Sequence, residues 1–133
     1  MMKLHFSIVP LLIFLFAYNS SFAQKHKQEK SSKYDIQGPY CNGLARVKSN
    51  NKWGFIDTTG SVIIPLKYNQ VENFEDGLAR VRLGQKWGLM DVTGREVIKP
   101  TFDFIDKFID GKAKVLLDGE TYYMNTSGQR VAK

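Results

Sequence analysis

The sequence predicts an all-β fold, built as a tandem array of about three 34-residue, three-stranded units. Three observations predict it: an internal repeat, a period-two alternation of side chains within each copy, and turn-forming residues where strands should reverse. The repeat begins at Tyr34, which gives units of about 34–67, 68–101 and 102–133. Both a short open solenoid and a propeller-like stack fit this pattern.

The repeat is clearest in a motif of the form Gly-x-Ala-basic-Val. It spans residues 43–47 and returns at 77–81 and 111–115, with an offset of 34 each time. A Trp-Gly pair at 53–54 returns at 87–88 with the same offset. Several matches in one frame indicate tandem structural units.

Each unit is predicted to contain three strands. In Leu44–Lys48, Ala and Val alternate with mainly basic residues, and Lys52–Asp57 is rich in aromatic and β-branched residues. The third strand, Ser61–Ile64, should end at Pro65, which has no N–H to donate to the ladder. We expect the remainder of the unit, such as residues 68–77, to be a loop or a short helical turn.

An Asp-x-Thr-Gly element should form the turn before the third strand. A carboxylate at Asp57 or Asp91 can accept a backbone N–H two residues further on, and the glycine can take the left-handed conformation. Asn125 occupies the same position in the third unit. An amide can replace a carboxylate as a hydrogen-bond acceptor, so the substitution favours a structural role over catalysis.

A glycine within a strand, as in the Trp-Gly pair, indicates that a bulky group lies close to the glycine backbone. We expect an indole from a neighbouring strand or unit to lie over Gly54 or Gly88, with the tryptophans buried in the core. The alternative is an exposed aromatic platform for a sugar ring, formed by Trp53, Trp87 and Tyr123.

The amino-terminal segment is typical of a secretory signal. Lys3 precedes an apolar run over residues 6–18, and small residues lead up to Ala23, after which we place the cleavage. The run is shorter than the roughly 18 residues of a spanning helix, so an uncleaved anchor is the less favoured alternative. Residues 24–33 form a basic, solvated linker. We therefore expect an exported protein, periplasmic or extracellular, without a transmembrane segment in its mature chain.

Charge and residue inventory exclude several functions. The net charge is +6, but residues 34–133 carry 14 Lys/Arg and 12 Asp/Glu, which is only +2, so nucleic acid is not the expected partner. The two histidines, His5 and His26, fall outside the repeat, and Cys41 is the single cysteine. We expect no catalytic residues, no cofactor and no metal site. Intermolecular pairing of Cys41 remains open.

Two groups of charged residues call for interpretation. The acidic cluster Glu72, Glu75 and Asp76 is interpreted as a solvated loop, with weak calcium binding as the alternative. Basic residues recur at equivalent positions and would line one face if the units stack in register. A solvated face is one interpretation of them, and a surface for an anionic ligand or partner is the other. The basic residues are Arg46, Lys48, Arg80, Arg82 and Lys114.

These motifs together resemble the WG (KWG-type) repeat family. The resemblance lies in Lys52–Asp57 with Thr59-Gly60, in Val62–Pro65 and in Phe74–Ala79, and it covers residues 34–133. The third unit departs from the pattern, with Thr121-Tyr122 in place of Trp-Gly, like a degenerate terminal repeat. The resemblance implies a β-rich tandem array and no reaction.

Two functions therefore stay open. The first is a non-enzymatic module for interaction with proteins or cell-envelope polymers, for which self-association could cover open sheet edges. The second is a carbohydrate-binding or cell-wall-binding module that uses aromatic hairpins.

Overall fold

A computed structural model describes residues 32–133. The regular secondary structure within this range consists of β-strands. The expected signal peptide, residues 1–23, and the linker up to residue 31 lie outside the described residues. In the described part of the chain there is no helix long and apolar enough to cross a membrane. The strands are β1 Ile36–Cys41, β2 Leu44–Ser49, β3 Lys52–Asp57, β4 Val62–Tyr68, β5 Gln70–Val71, β6 Leu78–Leu83, β7 Lys86–Asp91, β8 Glu96–Phe102, β9 Phe104–Ile105, β10 Lys112–Leu117, β11 Glu120–Asn125 and β12 Arg130–Val131.

The strands form three antiparallel sheets of four strands, which confirms the all-β tandem array. The first sheet has the order β1-β2-β3-β4, the second β5-β6-β7-β8 and the third β9-β10-β11-β12. The prediction of three strands per unit is corrected to four. The segment expected to be a loop supplies the extra strand, which is only two residues long in β5 and β9. Two residues are too few to show an alternating pattern.

The predicted hairpin turns are confirmed. The central strands of each sheet are joined by two-residue loops, because Ser49 pairs with Lys52 and Leu83 pairs with Lys86. In the first of these loops, Asn50 and Asn51 have φ of 50° and 62°. Asparagine tolerates this left-handed region, and such turns match the twist of the flanking strands.

The sheets pack face to face, so the two faces of the middle sheet contact different sheets. In β6, Ala79 and Val81 join a core cluster with Phe55 of the first sheet. Leu89, on the opposite face of the second sheet, joins a cluster with Val115 of the third. The predicted alternation is thus confirmed, but both faces of the middle sheet are interior.

The expected cause of the Trp-Gly pair is wrong. It is backbone, and not an indole, that lies over the glycine. A Cβ on Gly54 would lie 2.4 Å from the carbonyl oxygen of Ile64, and one on Gly88 would lie 2.4 Å from that of Ile98. The last strand of each of these two sheets therefore crosses directly over the glycine of its neighbour.

The prolines mark this crossing and do not end the strand. β4 continues past Pro65, and the register shifts because Phe55 pairs with Ile64 whereas Trp53 pairs with Tyr68. Between these two pairs, one residue of β3 thus lies opposite three of β4. A proline is tolerated at such a bulge because it is not required to donate a ladder hydrogen bond. The prediction that the ladder ends there is corrected.

Candidate functional site

The arginines of the predicted basic face are placed between the sheets. Arg46 Nη1 donates to the carbonyl oxygen of Val71 at 3.3 Å, and Arg80 Nη1 donates to that of Ile105 at 3.0 Å. Both side chains are half-buried. Each arginine thus connects its own sheet to the first strand of the next. Lys114 holds the equivalent position in the third sheet and is exposed.

The next basic positions lie beside the tryptophans. Lys48 pairs across the sheet with Trp53, and its Nζ lies 5.6 Å from the indole centroid, while the Arg46 guanidinium lies 5.3 Å from it. The Arg82 guanidinium lies 5.9 Å from the Trp87 ring. Cations at these distances interact favourably with an indole. Their presence reduces the indole surface that is left for a sugar ring.

The proposed aromatic platform is not one row of exposed rings. Trp53, Trp87 and Tyr123 are all half-buried. Trp53 and Trp87 pack against the two inter-sheet cores. Tyr123 holds a different position in its repeat, 34 residues after the buried Leu89.

The Asp-x-Thr-Gly turns are built as the sequence predicts. Asp57 Oδ1 accepts the N–H of Thr59 at 2.9 Å, its hydroxyl at 2.6 Å and the N–H of Ser61 at 3.0 Å. Asn125 Oδ1 accepts the N–H of Ser127 and of Gln129 in the same way. These carbonyl and carboxylate oxygens are therefore occupied by the turn itself.

The same bonds set the acidity of the turn aspartates. The hydroxyl of Thr93, followed by backbone N–H donors, lowers the pKa of Asp91 from 3.8 to about 2. The corresponding bonds to Thr59 also lower the pKa of Asp57. Both carboxylates are ionised at neutral pH and are unsuited to donating a proton in catalysis.

A repeated acceptor outside these turns was not anticipated from the sequence. Asp35, Asn69 and Asp103 each follow an aromatic residue, at 34-residue spacing, and each accepts an N–H from the hairpin turn of its own sheet. Asp103 Oδ2 accepts the N–H of Asp118 at 2.9 Å, and its Oδ1 pairs with Lys86 Nζ at 2.5 Å. The recurrence of an Asx residue in the repeat frame is the signal that could have revealed it.

The described residues line a cavity of about 350 Å³ between the second and third sheets, which we call the cleft. Its apolar part is formed by Leu78, Leu89 and Phe108. The polar part includes the sequence-predicted acidic cluster, so the structure brings these residues to one cavity. The polar lining residues are Glu72, Asn73, Glu75, Asp76, Arg80, Lys107, Asp110 and Thr126.

The charges of the cleft are partly accounted for by local structure. Lys107 Nζ pairs with Glu75 Oε1 at 3.2 Å across the two loops. Asp76 and Asp110 have φ of 49° and 50° and precede glycines, as the first position of a tight hairpin turn requires. Counting all ionised groups, four carboxylates stand against two cations, so the cleft favours a cationic group. Among residues 32–133, no three His, Cys, Asp or Glu side chains are arranged to hold a metal ion.

The fold and these repeated contacts define a tandem β-repeat array. A family model described as "WG containing repeat" matches residues 32–53, 53–87 and 87–120 in succession. The chain belongs to this WG repeat family. Comparisons with curated proteins and with solved structures gave no match.

Proposed function

We propose that the chain is an exported, non-enzymatic interaction module that binds a partner protein through the cleft. A concave site with an apolar floor and a few charged groups is the usual form of a recognition pocket. The single observation that carries the proposal is this cavity of about 350 Å³ at the junction of two repeats.

The chemistry of the cleft favours a lysine or arginine side chain of the partner. Its aliphatic stem would lie along Leu78 and Phe108, which are half-buried, and its cationic end would face the carboxylates of Glu72 and Asp110. Long basic side chains combine these two properties, whereas an anionic group would meet net negative charge.

A matched pair of short peptides tests the proposal. We expect the peptide acetyl-Gly-Lys-Gly-amide to shift the backbone resonances of Gly111 and Thr126 in a saturable way, and its glutamate counterpart not to do so. Glu72→Gln should weaken the effect, because it removes one carboxylate of the cleft. Glu120→Gln is the matched control, since Glu120 pairs with Arg130 and does not line the cleft. Equal responses to both peptides would contradict the proposal.

The carbohydrate alternative is weaker, because the indoles are half-buried and lie beside cations. A chito-oligosaccharide is therefore expected to leave the tryptophan fluorescence of the chain unchanged.

Export is supported by the order of charges and apolar residues in positions 1–23. The amino-terminal sequence of the secreted chain should begin at Gln24.

A further inference from the structure

The second sheet covers one face of the first, and the third sheet covers the same face of the second. We call this face, and the equivalent face of the third sheet, the receiving face. In the first two sheets it carries Phe55 and Leu89, which are 1% and 0% exposed. Tyr123 holds the equivalent position in the third sheet and is only half-buried. Beside it, Lys114 is exposed, whereas Arg46 and Arg80 at the equivalent positions of the first two sheets are half-buried. The third receiving face therefore carries residues equivalent to those of the two covered faces, but these residues are less buried.

The first two receiving faces show what such a face accepts. Each is covered by a segment in which an aromatic residue is followed by an Asx residue and then by a short strand, as in residues 68–71 and 102–105. The last residue of each segment accepts a hydrogen bond from an arginine of the receiving sheet. Lys114 places an ammonium donor at the same position of the third sheet.

From this equivalence, we propose that the third receiving face docks a β-repeat unit supplied by another polypeptide. The incoming unit would lay an aromatic-Asx-x-apolar segment along β11, as β5 lies on β3 and β9 on β7, and a backbone carbonyl of its short strand would accept a hydrogen bond from Lys114. Continuity with the two internal interfaces carries this proposal, which does not rest on the cleft.

A second copy of this chain is a poorer occupant. Two receiving faces brought together would oppose Lys112 and Lys114 of one copy to those of the other, and like charges repel. A head-to-tail contact would need the opposite face of the first sheet, where Ala45 and Val47 are already buried with Tyr34 packed among them.

The test uses the purified full chain and a synthetic peptide with the sequence of residues 68–91 of this protein, which contains β5, β6 and β7. We expect saturable shifts in the backbone resonances of Lys114 and Tyr123. Lys114→Glu and Tyr123→Ser should each weaken binding about tenfold or more, because they remove a charge-assisted hydrogen bond or apolar contact area. Lys99→Glu, at an exposed lysine of β8, is the matched control and should leave binding unchanged.

Three outcomes would overturn the proposal. The first is no saturable binding up to millimolar peptide. The second is equal binding by a scrambled peptide or by Lys114→Glu. The third is concentration-dependent dimerisation of the chain in sedimentation that Tyr123→Ser abolishes, because a second copy would then occupy the face.

Discussion

The junction between the first and second sheets differs from the junction between the second and third. At the first, the rings of Phe55 and Phe74 meet edge to face with centroids 4.8 Å apart, and both rings are buried. At the second, Leu89 replaces the phenylalanine, Phe108 is only half-buried, and the cleft opens beside them. One smaller side chain in a repeat can therefore accompany a cavity while the backbone contacts stay the same.

The sheets on either side of the first junction share one feature, the crossing of the last strand over a glycine of its neighbour. Gly54→Ala and Gly88→Ala should each destabilise the fold by about 3 kcal/mol, because the new methyl group would meet a carbonyl oxygen at 2.4 Å. Urea unfolding followed by circular dichroism measures this loss. Gly43→Ala is the matched control: it has a φ of 78° but no heavy atom within 4 Å, so a cost of about 1 kcal/mol is expected. A much larger loss at Gly54 than at Gly88 would show that the crossings in the two sheets are not equivalent.

Exchanging Phe55 and Leu89, the equivalent residues that differ, should make the packing at each junction more like that at the other. Phe55→Leu should cost about 2 kcal/mol, because the ring of Phe74 loses its partner. Leu89→Phe should stabilise by up to about 1 kcal/mol, because a larger side chain extends into the cleft. Thermal unfolding of both variants tests this. A destabilising Leu89→Phe would show that the shape of the cleft rejects a ring, which would contradict our account of the difference.

The smallest expected effect concerns the turns that close the two junctions. The turn ending at Gly94 packs against Ile63 and Ile64 of the first sheet, and the turn ending at Gly128 packs against Ile98 of the second. The first turn is anchored by Asp91 and the second by Asn125, which does not titrate.

Acid should therefore weaken the first turn alone. The pKa of Asp91 is lowered by folding, so its stabilising contribution is fully present above the ordinary value of 3.8 and is lost as the pH falls toward about 2. The amide resonance of Thr93 should titrate with a midpoint near 2, and that of Ser127 should not respond. Asp91→Asn should remove the titration while keeping the turn. A midpoint at 3.8 would show that the Thr93 bonds do not stabilise the carboxylate.

Local patterns predicted the hairpins and the Asx turns because their causes lie within a few residues. Asp57 and Thr59, or Asn50 and Asn51, contain the whole turn chemistry. The period-two alternation of β6 likewise indicated which side chains share a face.

The sequence does not predict which part of the molecule packs against each strand face. Arg46 and Arg80 alternate with buried residues as solvated residues would, yet the next sheet lies against them. For Gly54, the sequence signals a close approach but does not distinguish an indole from a backbone carbonyl. The cleft lies beside Leu89, where the preceding repeat has Phe55; the sequence shows this difference but not the cavity that accompanies it.

The arginine bonds always run from one sheet to the next, so each layer is completed by its immediate neighbour. Such an arrangement has a genetic consequence. Duplication of a 34-codon stretch in frame would insert a whole layer with both of its interfaces intact, and the number of layers can change without redesign of the interior.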